Sequence, residues 1–221
     1  MQYPKIQGLY KRYMYLDKKD PNYGKFIIGQ YSKPEFELLK DIQWIWTEKV
    51  DGTNIRVCCY TDPNIQKIEF KGKTDRAEIP SHLLAKLQET IKKEKIFSIF
   101  KVSEEMPDIY LYGEGYGYKI QSGCKYFGGK KEVDFILFDV KIGNIWLKRE
   151  DVEDIARHLE IKVVPIIGRG TIDEAINLVK TGFKSTFGDF IMEGLVIRPQ
   201  VELRNRRGHR IITKIKYKDF K

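Results

Sequence analysis

Glu48-Lys49-Val50-Asp51-Gly52-Thr53-Asn54 is the stretch on which the reading of this chain turns. It closes one strand candidate, Trp44–Glu48, and opens another, Thr53–Tyr60, so its lysine sits in a turn between two strands. Gly52 lets the backbone approach a ligand closely. A lysine beside such a turn can be brought against a phosphate, and a desolvated lysine can lose its proton and attack phosphorus. Taken alone, the same string also describes a solvated turn lysine.

Further strand candidates are Ile65–Phe70, Ile109–Gly113, Asp134–Val140, Ile191–Arg198 and Arg210–Tyr217, rich in β-branched and aromatic residues. Helices are expected between them. Ser81–Phe100 carries Leu83, Leu84, Leu87 and Ile91 on one stripe. Thr171–Thr181 opens on a capping-box pair, Thr171 with Glu174, and meets Gly182 just past its end. Asp151–Leu159 and the short Pro34–Lys40 complete the set. Mostly antiparallel strand groups with helices inserted between them define an α+β chain. No repeat, low-complexity tract or Gly/Ser linker interrupts the 221 residues, so a single domain over 1–221 is expected.

The chain carries no apolar run of membrane-spanning length and no apolar stretch behind Met1, which predicts a soluble, intracellular, cytoplasmic protein with no membrane partner. Cys58, Cys59 and Cys124 match neither a disulfide framework nor a zinc spacing and read as small buried or half-buried thiols. Net charge is +9, and from Arg198 to Lys221 nine basic residues face only Glu202 and Asp219. Such a cluster suits a polyphosphate backbone, although a solvated basic face has the same composition.

Four downstream segments extend what Lys49 suggests. Tyr110-Leu111-Tyr112-Gly113-Glu114-Gly115-Tyr116-Gly117 places a carboxylate at a strand end, among glycines that clear space for a bulky ligand. Glu114 there can accept hydrogen bonds from ribose hydroxyls. Asp134–Val140 alternates Phe135/Leu137 with Ile136/Phe138, and one such aromatic can stack on a base or fill a core. Glu193, inside the apolar run Met192–Ile197, calls for a metal or a cationic partner, a structural salt bridge being the plainer use. Lys214 and Lys216 share one strand face, about 7 Å apart, where an anion between them offsets their repulsion. Lysines that blunt an edge strand show the same pattern.

The order of these five motifs, from Glu48 to Lys216, resembles the covalent nucleotidyltransferase superfamily of ATP-dependent ligases and mRNA capping enzymes. Within it, Thr53-Asn54, Glu193-Gly194-Leu195-Val196-Ile197 and Lys214-Ile215-Lys216 are similar to the RNA ligases; DNA ligases and capping enzymes usually hold arginine where Asn54 stands. The resemblance implies an ATP-grasp-like nucleotidyltransferase (adenylyltransferase) domain of mainly antiparallel sheets flanked by helices. It implies an ATP-dependent RNA ligase of RNA repair, using ATP and Mg2+ or Mn2+ to join RNA 3′-hydroxyl and 5′-phosphate ends. A DNA ligase core, a GTP-dependent capping guanylyltransferase and a non-catalytic nucleic-acid-binding relative are the alternatives.

Carried over by residue, the resemblance makes Lys49 the nucleophile that takes AMP. Lys214 and Lys216 would bind phosphates and stabilise charge at the α-phosphoryl group. Glu114 would hold the ribose, Phe138 stack on adenine and Glu48 contact the nucleotide. Glu193 would organise the metal, with Asp51 and Asn54 as weaker helpers. An arginine reaching the ribose and α-phosphate is expected at Arg76, with Arg56 second because it can simply face solvent. Only five residues follow Lys216. The chain is therefore expected to be a minimal catalytic domain without a C-terminal OB or helical domain, or a piece of something longer. The loop 199–210, with Arg204, Arg206, Arg207 and Arg210, is the candidate RNA grip.

Overall fold

The computed structural model describes residues 1–221 apart from Val102 and Glu104. Along the chain run β1 (Gln7–Gly8), β2 (Tyr10–Arg12), β3 (Phe26–Tyr31), α1 (Pro34–Leu38), β4 (Trp44–Glu48), β5 (Thr53–Tyr60) and β6 (Lys67–Lys71). Next come α2 (Ser81–Thr90), α3 (Lys93–Phe100), β7 (Ile109–Gly117), β8 (Val133–Ile142), β9 (Ile145–Trp146), α4 (Arg149–Leu159) and β10 (Lys162–Val163). The last elements are β11 (Ile166–Gly170), α5 (Ile172–Thr181), β12 (Gly194–Pro199) and β13 (Thr213–Lys216). Two compact units result: Lys5–Val50 with Pro165–Lys221, and Met1–Pro4 with Asp51–Val164.

The first unit holds a five-stranded sheet in the order β1-β13-β12-β4-β11, antiparallel except where β1 meets β13, and a β2–β3 hairpin. Its core joins Trp44 and Trp46, Leu195, Ile197 and Ile215 to the apolar stripe of α5, Ile172, Ala175, Ile176 and Val179. The start of α5 is set as its sequence predicts. Thr171 and Glu174 cap each other's backbone N–H, and Gly182 ends the helix in the left-handed region. Burial of that stripe is the main reason so short a helix persists.

The second unit holds the six-stranded sheet, β10-β8-β7-β5-β6 with β9 beside β8, and α2, α3 and α4 cover one of its faces. Ile55, Val57, Leu111, Phe135, Leu137 and Val140 meet Leu83, Leu87, Ile96, Val152 and Ile155 there. The expected helix Ser81–Phe100 is two helices. Ile91 is extended (φ −106°, ψ 98°) yet 1% exposed, so it stays in the core while the axis breaks after the β-branched Thr90. The strand expected at Ile65 starts at Lys67 because Asp62 folds residues 62–66 into a turn, accepting from the Asn64 N–H at 2.9 Å.

β7 also differs. It runs on to Gly117, so Glu114 lies within the strand and not at its end. Gly113 and Gly115 make room for neighbours of the core, not for a ligand: a Cβ would stand 2.3 Å from the Phe135 ring at one and 2.4 Å from Leu83 at the other. Cys58 and Cys59 are both buried, and burial pushes both thiols up from their ordinary range. No helix among the described residues is long and apolar enough to cross a membrane.

Candidate active site

Candidate residues fall on both units, and each group is built within its own. In the five-stranded unit, β12 is the middle strand, antiparallel to β4 on one side and to β13 on the other. It therefore begins where both neighbours end. Glu193 precedes it, Lys49 follows β4 with its N–H on the Gly194 carbonyl at 2.9 Å, and Lys216 closes β13 opposite Gly194. The result is one carboxylate held by two lysines: Lys49 Nζ donates to Glu193 Oε2 and Lys216 Nζ pairs with Oε1, each at 2.6 Å. Glu193 lies ahead of its strand and not inside it, and the cationic partner expected for it is a pair of lysines.

Gly194 is needed for this closeness. Its φ is +152°, and a Cβ would fall 2.0 Å from the Ile215 carbonyl oxygen. Lys214, opposite Val196, shares the half-buried face of Lys216, as the alternation predicts.

Glu48 is a different case. It pairs with buried Leu195 and lies 1% exposed. Its carboxylate accepts from the Ser185 hydroxyl, from the Thr186 N–H at 3.0 Å and from the Thr186 hydroxyl at 2.7 Å. A buried carboxylate needs such donors. No sequence signal pointed to Ser185 or Thr186, which lie more than 130 residues from Glu48 in a loop without periodicity.

In the six-stranded unit, Asn54 of β5 pairs with Glu114 of β7, and Glu114 with Ile136 of β8, on the sheet face opposite the helices. Asn54 Oδ1 is buried without a donor among the described residues. Tight approach explains Gly52, whose Cβ would stand 2.3 Å from the Gly115 carbonyl oxygen. Asp51 is held by a loop that sequence reading passed over: its N–H donates to the Tyr126 hydroxyl at 2.8 Å and its carboxylate accepts from Ser122.

Phe138 occupies a bulge. Tyr112 pairs with Asp139 and Gly113 with Leu137, which leaves Phe138 as the extra residue. The simple alternation expected for this strand breaks there, and Val140, not Asp139, continues the core face. Phe138 packs edge-on against Tyr3 at 5.0 Å, and Tyr3 donates its hydroxyl to Asp139.

Arg76 lies exposed in the turn after β6. Arg56, expected to face solvent, is 1% exposed, and donates to the Gly72 carbonyl and to Asp75, each at 2.8 Å. It braces the very turn that carries Arg76. In the first unit, Arg204, Arg206 and Arg207 are exposed on the 199–210 loop, whereas Arg210 is buried with Nε 2.6 Å and Nη2 3.0 Å from the Glu202 carboxylate oxygens.

Among the described residues no cluster of three or more His, Cys, Asp or Glu side chains could hold a metal. The donors present suit a hard cation bound through one carboxylate, with water and phosphate oxygens completing its shell, the usual habit of Mg2+. The orphaned oxygen of Asn54 fits the same demand for an outside partner.

The fold is shared with proteins of known structure. Solved structures of Naegleria gruberi RNA ligase share the nucleotidyltransferase fold: a mutant without ligand (TM-score 0.63, 19% identity, 85% of this chain and 53% of that one) and a mutant with ATP and Mn (0.62, 19%, 84% and 54%). The same enzyme with pyrophosphate matches at 0.62 and 19%, over 83% of this chain and 52% of that one. The chain spans about half the length of these ligases. No curated protein matches it by sequence. The family model described as RNA ligase matches residues 42–217, and the chain belongs to that family.

Proposed function

We propose that residues 1–221 form one nucleotidyltransferase module of an ATP-dependent RNA ligase, which joins RNA 3′-hydroxyl and 5′-phosphate ends through a lysyl-AMP intermediate. The observation that carries this is Glu193 gripping both Lys49 and Lys216 on the rim of one sheet. A family match that runs through both units supports treating them as a single module. The solved relative was captured with ATP and Mn and with pyrophosphate, which suits ATP as the nucleotide here.

In the first step the Lys49 amine attacks the α-phosphorus of ATP; an N–P bond forms, the bond to the β-phosphate oxygen breaks and pyrophosphate leaves. An ammonium has no lone pair, so Lys49 must first give up a proton, to the Glu193 carboxylate it touches at 2.6 Å or to water. Lys214 and Lys216 supply positive charge to the phosphates as it is redistributed. Glu193 would hold a divalent metal, with Asp51 and Asn54 assisting, and such a metal would offset negative charge at the displacement. Glu114 takes the ribose, Phe138 the adenine, Arg76 the α-phosphate side of the ribose and Glu48 a nucleotide contact. An RNA 5′-phosphate oxygen then attacks the lysyl-AMP phosphorus and restores the lysine. Last, a 3′-hydroxyl attacks the activated 5′-phosphate, forms the phosphodiester and expels AMP. A role in RNA repair follows from such sealing.

Intact mass of the purified chain incubated with ATP or GTP and Mg2+ or Mn2+, beside Lys49→Ala, tests this. An AMP-sized gain with ATP that Lys49→Ala lacks is expected. A GMP-sized gain indicates capping chemistry instead. No gain, from protein shown to start unmodified, overturns the reading. Neutralising Arg204, Arg206 and Arg207 together is expected to weaken sealing and spare adenylylation.

A further inference from the structure

Between β7 and β8 the chain makes a loop, Tyr118–Lys131, with four lysines and no acidic residue. Its aromatic and basic residues border a groove of about 760 Å3 that α2 and the start of β8 complete, with Lys86 and Lys162 adding positive charge and Glu89, Glu132 and Asp134 negative charge to the lining. Cavities of this size take nucleotide-sized ligands. Tyr118 is half-buried, and two lysine ammonium groups lie near its ring, Lys119 at 5.4 Å and Lys131 at 5.9 Å from the centroid. Neither lysine has a carboxylate partner among the described residues, whereas Lys162 across the groove is paired with Asp134 at 2.9 Å.

Tyr118 is anchored through both of its backbone groups. The Tyr118 N–H donates to the Glu132 carbonyl at 2.7 Å, and its own carbonyl lies 2.9 Å from His82 Nε2. Little ordering is left to do when a ligand arrives, which favours binding.

We propose that this groove docks a single-stranded segment of the RNA substrate, with a base against Tyr118 and phosphates on Lys119 and Lys131. The proposal rests on the RNA ligase reading above. An aromatic ring flanked by unpaired lysines is the arrangement that holds single strands without regard to sequence. Position supports it too. Tyr118 directly continues the strand that carries Glu114, and the same loop, through Ser122 and Tyr126, holds Asp51 of the lysine turn. A strand seated in the groove thus lies on the loop that positions part of the reactive turn.

Fluorescence anisotropy with a short labelled single-stranded RNA and an RNA duplex tests this, over a salt series. Five proteins are compared: wild type, Lys119→Ala/Lys131→Ala, Tyr118→Leu, the Arg204, Arg206 and Arg207 triple alanine variant, and Lys18→Ala/Lys19→Ala as an equal loss of charge elsewhere. The groove double variant is expected to bind single strands at least tenfold more weakly, with a salt slope lower by about 1.4, two phosphate contacts at roughly 0.7 each. Tyr118→Leu is expected to lose on the order of tenfold without a change in slope. Wild-type affinity in the double variant, or an equal loss in Lys18→Ala/Lys19→Ala, overturns the groove. So does a wild type that prefers duplex, or binding lost entirely through the Arg204, Arg206 and Arg207 triple variant. The intact-mass readout is independent: RNA binding that depends on the groove, without AMP transfer, fails the ligase reading and leaves the groove standing.

Discussion

Two carboxylates in this molecule are each held by two lysines, and they differ in almost everything else. Glu69 sits on β6, an edge strand, between Lys67 and Lys71 at 2.7 and 2.9 Å. Glu193 has Lys49 and Lys216 at 2.6 Å. The Glu69 trio lies within five residues of sequence and follows from strand alternation alone. Its side chains are 31 to 51% exposed, so water screens it, and lysines on an edge strand serve to discourage further pairing. The Glu193 trio needs three strands to align and is 14 to 21% exposed. A carboxylate between two lysines is therefore no mark of function until its surroundings are considered. What separates the two is that the second collects charge from distant parts of the chain into a place with less water, where it acts more strongly on a phosphate.

The sharpest test removes each carboxylate in turn. Glu193→Ala is expected to slow adenylylation of Lys49 by a hundredfold or more, as loss of a charge-organising group does, measured by single-turnover mass shift. Glu69→Gln is expected to leave that rate unchanged, and an equal fall in both would erase the distinction. A second test concerns Glu48, the neighbour of Lys49. Thr186→Val removes a hydroxyl donor from the buried Glu48 carboxylate and is expected to cost about 1.5–3 kcal/mol in urea unfolding; a cost near zero would mean that this hydroxyl is not needed to hold the carboxylate.

The smallest effect is the pH dependence of the exposed trio. The ammonium groups of Lys67 and Lys71 hold the Glu69 carboxyl down, at about 2 against an ordinary 4.5. A lowered carboxyl contributes stability that is complete above 4.5 and is lost as pH falls towards 2. Because the trio is solvent-exposed, that contribution is expected not to exceed about 1 kcal/mol. The stability gap between wild type and Glu69→Gln should therefore close on acidification through that window. A gap that widens would contradict the sign.

Legibility followed distance along the chain. β4 and β5 have the boundaries expected from their β-branched and aromatic runs, and α5 the expected cap and end. Errors arose where a neighbour in space decided the outcome. β7 runs past Gly113 because its glycines seat against Phe135 and Leu83, and Phe138 leaves the alternation because β8 bulges opposite Tyr112 and Gly113. Arg56 reads as a solvent-facing strand residue, but the turn after β6 folds back over it and supplies acceptors.

By itself the sequence determined the α+β class, most element types, and the ordered motifs at Lys49, Glu114, Phe138, Glu193 and Lys214–Lys216, because propensity, caps and periodicity act within a few residues. Only the tertiary structure decided which of these residues touch. Lys49 and Glu193 are 144 residues apart, and their contact exists because β12 begins where β4 and β13 end. The cradle of Ser185 and Thr186 on Glu48, and the hold of Ser122 and Tyr126 on Asp51, belong to the same category. Register between distant strands is chosen by burial across a whole sheet, and no local stretch of sequence carries that information.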